Sequence, residues 1–308
     1  MTTDHRADTL TERFEHERRG LLAHGYRMLG SWDEAEDAVQ EAYLRAFRAW
    51  PAFEERSTVR VWLYRIVTNV CLTALTGRSR RALPSGLATD PEEPALWIQP
   101  IPTALVGADP ATEVVAREGV RLAFVAGLQY LPARQRAVLL LREVLAFPAA
   151  DVARMLDISV AAVKSALQRA RARLAEVAPS PDRLTEPADR ESRALLDRYM
   201  AAWEQADPAA FERVLRTDAV LELLPSGVRA EGNAACVALA APSMDAPGAW
   251  QMEPAGANGQ PAALAWWHGE PFGVAVLTPA AGGLAAVTVF AEPDLVTRFT
   301  TARVTTTR

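Results

Sequence analysis

The stretch Asp151–Arg173, DVARMLDISVAAVKSALQRARAR, limits the folding options of this chain more than any other. It reads as a helix, a tight turn and a second helix. The second helix carries Lys164, Arg169, Arg171 and Arg173 with no acidic residue among them. Val163, Leu167, Ala170 and Leu174 recur at helical spacing, which predicts an inward face. The opposite face presents Lys164, Ser165, Gln168, Arg169 and Arg171. That set supplies charge for phosphates and amide and guanidinium groups for base edges. Val152, Ala153 and Leu156 form the inward stripe of the first helix, and Ser159 is the expected N-cap of the second. A helical hairpin with a solvated basic face would carry the same residues, so the rest of the chain must decide.

A length of 308 residues admits two or three domains. The net charge of −5 does not fit a general nucleic-acid coat protein. Residues 1–178 are close to neutral with local charge blocks, and the remainder is acidic, so the blocks carry the information. Cys71 and Cys236 lie too far apart for a metal motif and too few for a disulfide framework. They are expected to be buried free thiols in a reducing compartment. The N-terminal MTTDHRADTLTERFEHERRG has no apolar signal-peptide core, and no apolar run is long enough to span a bilayer. A cytoplasmic protein without a membrane partner, cofactor or metal is expected.

Periodicity divides the chain into three blocks. Residues 10–82 read as helical: one amphipathic helix with Phe14, Leu21, Leu22, Tyr26, Met28 and Leu29, a break at Gly30-Ser31-Trp32, and a second helix capped by Asp33. Ala35, Ala38, Val39, Ala42, Tyr43, Ala46 and Phe47 mark the inner side of that second helix, which Pro51 ends. A third helix runs from Val59 to Leu75. Residues 83–112 are Pro-rich and predict a linker, with an apolar island, Leu96-Trp97-Ile98, expected to dock on a folded domain. Residues 113–177 form the second helical block: Glu113–Tyr130, Ala133–Leu145 and the helix-turn-helix. A second linker covers 178–190. Residues 191–305 then mix helices (Glu191–Gln205, Pro208–Leu215, Ala234–Leu239) with strands (Ala219–Leu224, Ala262–Trp267, Phe272–Leu277, Leu284–Phe290). Gly282-Gly283 is the hairpin turn between the last two strands. This third block is α+β.

Two charge patterns stand out. Asp33, Glu34, Glu36, Asp37 and Glu41 precede any basic residue on the second helix. The helix dipole accounts for Asp33 and Glu34, but not for Asp37 and Glu41, which share the outer face with Gln40. Such a face is either solvated or meets a basic partner. The third helix, VRVWLYRIVTNV, is the reverse. Trp62, Leu63, Ile66 and Val70 form an apolar stripe, with Arg60, Tyr64, Arg65, Thr68 and Asn69 around it. Aromatic rings beside arginine and an amide suit single-stranded bases, although Trp62 alone fits a core position.

Three features in order, DEAEDAVQEAYLRAFRAWPAF, VRVWLYRIVTNVCLTAL with the basic run behind it, and LPARQRAVLLLREVLAFPAADVARMLDISVAAVKSALQRARARL, resemble regions 2 and 4 of bacterial RNA polymerase sigma factors of the extracytoplasmic-function type. The likeness covers about residues 10–82 and 113–176. The Pro-rich linker stands where larger sigma factors have region 3. The resemblance implies that Asp37, Gln40 and Glu41 dock on the β′ clamp helices of core polymerase. It implies that Phe53, Arg60, Trp62, Arg65, Asn69, Arg78, Arg80 and Arg81 hold the opened minus-ten element. Ser159, Lys164, Ser165, Gln168, Arg169 and Arg171 would read the minus-thirty-five element. Extruding a base costs a few kcal/mol, which a pocket and stacking must offset. The chain departs from the family pattern at Glu54-Glu55, where a glycine is usual, and at Thr73, Thr76 and Gly77, which dilute the expected arginines.

The third block, from LLDRYMAAWEQADPAAFERVLRTDAVLELLP, resembles SnoaL-like domains, which are α+β cones with a pocket. The expected fold is therefore two all-α domains, regions 2 and 4, followed by an α+β SnoaL-like domain. The expected function is promoter recognition with core RNA polymerase through its β′ and β subunits, under regulation by the third domain. An anti-sigma protein and a small-molecule ligand of the third domain are further partners that the resemblance admits. His268 and Glu270, two apart on an expected strand, would share a face as an acid–base pair if that domain were an enzyme. A one-component repressor or activator is the other rival, but it has no use for the acidic helix or the Trp-Asn helix.

Overall fold

The structure, a computed structural model, describes residues 2–54, 57–76, 98–106, 121–177 and 189–306. It divides into two compact units. One gathers the chain up to Arg81 with Leu105–Ala178, and the other gathers Ala82–Ala104 with Pro179–Arg308.

The first unit is all helical. α1 spans Thr2–Leu29, α2 Trp32–Ala49 and α3 Val59–Leu75. Leu21, Tyr26, Met28 and Leu29 of α1 are buried, as the spacing predicted. Each such side chain contributes about 1.5–3 kcal/mol when removed from water. α1 ends because Gly30 takes φ +72°, and its N–H bonds the carbonyl of Tyr26 at 2.7 Å. Ser31, not Asp33, caps α2: its backbone is extended and its hydroxyl accepts from the amide of Glu34 at 3.3 Å. Asp33 lies inside the first turn. On α3 the buried stripe is Leu63, Tyr64, Val67, Thr68, Val70 and Cys71. Trp62 and Ile66 are only half-buried, so the inner face is rotated from the one expected.

α4, Thr103–Val106, is a single turn within the expected linker. α5 covers Leu122–Gln129, and the part of the expected helix at 113–120 lies outside the described residues. α6, Ala133–Leu139, runs into a π-helical turn, Leu140–Val144, closed by Leu145 N–H to Leu140 O at 3.0 Å. α7, Ala149–Leu156, ends at Asp157 in the left-handed region, and α8 spans Val160–Val177. Helices α5–α7 pack on α1 and α3, so both helical blocks share one core.

The second unit is α+β. α9, Asp189–Glu204, and α10, Pro208–Val214, lead into β1, Leu215–Leu224. β2 (Val228–Glu231), α11 (Asn233–Ala240), β3 (Trp250–Ala257), β4 (Gln260–Trp267), β5 (Glu270–Ala280), β6 (Gly283–Phe290) and α12 (Pro293–Thr306) follow. The sheet order is β2-β1-β6-β5-β4-β3, with β1–β6 parallel and every other pair antiparallel. Its core joins Leu195, Tyr199, Trp203 and Phe211 to Leu221, Trp250, Leu277 and Val287.

The docking expected of the apolar island is seen for its described part. Ile98 and Ile101 are fully buried. Ile101 and Asn258 exchange two hydrogen bonds, at 2.9 and 3.1 Å, and Thr103 Oγ1 accepts from Gly259 N–H at 3.0 Å. Pro102 forms a bridge to Ala257 at the β3–β4 turn. Leu96 and Trp97 lie outside the described residues. The expected His268–Glu270 pair on one strand face does not form. His268 occupies the β4–β5 turn at φ 50°, Glu270 begins β5, and the partner of His268 is Asp245, with Nε2 and Oδ2 2.9 Å apart.

Candidate nucleic-acid and polymerase interface

α2 offers one continuous outer stripe. Asp37 and Gln40 are exposed, and Glu41 is half-buried. Leu44 and Phe47 continue the stripe one and two turns on, 46% and 48% exposed. The acids are less isolated than the sequence suggested. Glu41 accepts from Arg45 Nε at 2.7 Å, and Asp33, Glu34 and Glu36 have interactions of their own. The Glu41–Arg45 pair is an exposed i,i+4 contact worth about 0.3–0.5 kcal/mol, weak enough to exchange for a partner. Phe47 was expected on the inner side. It faces out because Ala42 and Ala46 already fill the inner stripe, one turn apart. An acidic face continuous with exposed Leu44 and Phe47 has the mixed character of a protein interface. The signal for these two residues was their i+7 and i+10 spacing from Asp37.

The second feature is a groove of about 240 Å³ lined by Arg45, Ala49, Trp62, Arg65, Ile66 and Asn69. Trp62, Arg65, Ile66 and Asn69 fall at i, i+3, i+4 and i+7 of α3, hence on one face. The structure therefore brings together three of the expected minus-ten residues and places a fourth beside them. Phe53 stacks on Trp50 with ring centroids 5.2 Å apart and planes 11° from parallel, and Trp62 lies 4.8 Å from Phe53. Trp50 was missed by the sequence reading, although the spacing Trp-Pro-x-Phe joined two rings across a turn. Arg65 and Asn69 are exposed. Arg60 is not part of this groove. It pairs with Glu17 at 3.5 Å and lies over the rings of Tyr64 and Phe147, 5.5 and 5.2 Å from their centroids. Arg78, Arg80 and Arg81 lie outside the described residues.

The third feature is the helix-turn-helix. Asp157 at φ 53° turns the chain between α7 and α8, and Ile158 N–H bonds Ala153 O at 3.0 Å. Ser159 caps α8 as expected, its Oγ accepting from Ala162 N–H at 3.1 Å. Val163, Ala166 and Ala170 are buried, whereas Leu167 and Leu174 are only half-buried, so the inner stripe is narrower than expected. Lys164, Ser165, Gln168, Arg169 and Arg171 are all exposed on α8. Arg171 is held by Glu143 of the π-turn, with Nε donating at 2.8 Å. Glu143 thus fixes the direction of one guanidinium of the basic face.

Beneath these surfaces lies a buried polar core. Thr68 Oγ1 donates to Tyr64 O at 2.6 Å, so it accepts from His24 Nε2, 2.9 Å away. His24 Nδ1 is then an unprotonated buried atom with no hydrogen-bond partner among the described residues. Burial, aided by the neighbouring charge of Arg27, pushes the His24 pKa down to about 3. Burial likewise pushes the Cys71 thiol up to about 12, and both cysteines are free and buried, as expected.

Residues 13–81 match sigma-70 region 2, and residues 121–174 match sigma-70 region 4. The extracytoplasmic-function RNA polymerase sigma factor SigG of Mycobacterium tuberculosis is 43% identical over 96% of this chain and 85% of its own length. SigJ of the same organism is 33% identical over 67% of this chain and 62% of its own. Against the crystal structure of SigJ the TM-score is 0.61 at 27% identity, covering 93% of this chain and 98% of that one. No helix among the described residues is long and apolar enough to cross a membrane.

Proposed function

Because this chain belongs to the extracytoplasmic-function family of RNA polymerase sigma factors, we propose that it binds core RNA polymerase through α2, opens the minus-ten element with the α3 groove, and reads the minus-thirty-five element with α8. The observation that carries this is the coexistence, in one helical unit, of three exposed surfaces with distinct chemistry. The acidic and apolar stripe of α2 complements a basic partner helix. The Trp62–Arg65–Asn69 face supplies a ring, a cation and an amide to an unstacked strand. The α8 face supplies Lys164, Gln168 and Arg169 to a major groove. A one-component regulator would need only the last of the three.

The sigma unit performs no covalent step. Its task is to exchange base stacking and pairing for contacts of its own. The α+β unit acts, in this reading, by binding rather than by turnover, and it biases the activity of the helical unit. Transcription from a cognate promoter, measured with matched core polymerase for the full chain and for a chain cut after Ala178, tests that second statement. A changed activity with unchanged binding to core supports regulation. Equal activity across the whole titration contradicts it.

A further inference from the structure

Two surfaces of the helical unit meet in one pair of side chains. Glu41, Arg45 and Ala49 fall at i, i+4 and i+8 of α2, so they follow one line along the helix. That line leaves the acidic and apolar stripe at Glu41. It enters the α3 groove at Arg45 and Ala49, which form the α2 side of it. Two cations therefore line the groove, Arg65 from α3 and Arg45 from α2. Arg65 is exposed and in no ion pair among the described residues. Arg45 is engaged: its Nε donates to Glu41 Oε1 at 2.7 Å, with the two side chains 45% and 41% exposed.

A guanidinium tied to a carboxylate is a poor phosphate ligand. Its charge is locally neutralised, and the carboxylate itself repels a strand. The pair is exposed, however, and exposed pairs are weak enough for a competing charge to rearrange them. A basic side chain that reaches Glu41 from a partner competes for the carboxylate. It also repels Arg45 by like charge. Both effects favour Arg45 on the groove, where an opened strand offers a phosphate. Phosphate contacts hold a strand without reading its bases, so this role for Arg45 is independent of promoter sequence.

We infer that Glu41 and Arg45 form a charge switch that couples docking on α2 to strand capture in the α3 groove. In the free protein Glu41 withholds Arg45, and a cation docked on Glu41 releases it to the strand's phosphate backbone. This rests on the roles proposed above for α2 and α3. The coupling is reciprocal, so a captured strand tightens docking by the same factor. The test is fluorescence anisotropy of the full-length protein with a fluorescein-labelled, single-stranded thymidine dodecamer at several salt concentrations. Glu41→Gln stands in for the docked state, because it frees Arg45 without core polymerase. It should bind the probe about threefold tighter than the parent near 50 mM salt, with a salt slope steeper by about 0.7, the value of one added phosphate contact on a single strand. Arg45→Gln should abolish that gain, and Trp62→Ala should weaken binding in every background. A gain from Glu41→Gln that persists in the double variant with Arg45→Gln would overturn the switch, since the carboxylate would then act only through overall charge. No binding, or no gain, in Glu41→Gln while Trp62→Ala still weakens the parent would overturn the switch alone. Binding indifferent to Trp62→Ala would overturn the groove's proposed role and the switch with it.

Discussion

Arg136 donates through Nη1 to Gln129 Oε1 at 2.6 Å, and both side chains are buried. The same guanidinium donates to Met28 O, at the C-terminus of α1, and through Nη2 to Gln129 O and Leu131 O at 3.1 and 3.2 Å. Gln129 Nε2 in turn reaches Val125 O at 3.2 Å and Arg27 O at 3.4 Å. A cation at the negative end of α1 satisfies carbonyls that the helix cannot. The clasp joins the segment that matches sigma-70 region 2 to the one that matches region 4. Arg136→Met should therefore destabilise the helical unit by about 2–4 kcal/mol, because several buried carbonyls lose their donor at once. Arg136→Lys should recover little, since an ammonium cannot reproduce the fork. Urea denaturation measures this, and a change under about 0.5 kcal/mol would contradict the role assigned to Arg136.

The α2 stripe leads to a second prediction. Asp37→Arg with Glu41→Arg should weaken core-polymerase binding at least tenfold at low salt, mainly through the association rate. Phe47→Ser should weaken it through dissociation, with little effect on the fold because the ring is already about half exposed. Binding kinetics at two salt concentrations separate the two effects. Unchanged kinetics in both variants would move the polymerase contact elsewhere.

On α8, Gln168→Ala should relax selectivity at one base position by about 1–3 kcal/mol if the amide makes a bidentate contact. Arg171→Ala should lower affinity more evenly across sequences if the guanidinium contacts phosphate, which carries no sequence information. Selection from a randomised minus-thirty-five library reports both. The same preferred sequence and strength for the two variants would show that this face does not read DNA.

His24 makes stability depend on pH. Its folded pKa, about 3, lies below the ordinary imidazole value of 6.5, so the unfolded chain binds the extra proton between those values. Stability from this residue is complete above about pH 6.5 and falls as the pH drops towards 3, by up to about 1.4 kcal/mol per unit. His24→Gln should flatten that part of the stability profile relative to the parent chain. Parallel profiles for the two proteins would mean that His24 does not stay neutral in the fold.

Much of this architecture was legible in the residues, and the exceptions have physical causes. The regular stripes of α1 and of α9 fixed their helices because one face of each is buried. β2 and β3 escaped notice because they are the two edge strands. β2 is exposed at Val228, Arg229 and Glu231, and Pro254 and Gly256 interrupt the strand pattern of β3. α12 is rich in threonine and a poor helix former, yet it buries Leu295, Val296, Phe299 and Ala302. The faces of α3 were misread by one position because Thr68 is buried through hydrogen bonds to His24 and Tyr64 O, and the Tyr64 ring packs edge to face on His24 and Phe147, which spacing does not reveal. The candidate interface was legible as residue types on helices. What spacing could not give was that Arg60 lies over Phe147.

Run-off transcription with purified core polymerase tests the central claim most directly. The full-length protein should direct core polymerase to discrete start sites on promoter fragments on which core alone is silent. Trp62→Ala and Asn69→Ala should reduce that initiation at least tenfold without reducing binding to core, because both side chains belong to α3 and neither lies on the α2 stripe. Sequence-specific DNA binding by the protein alone, with no core-dependent initiation, would contradict the account and restore the one-component regulator.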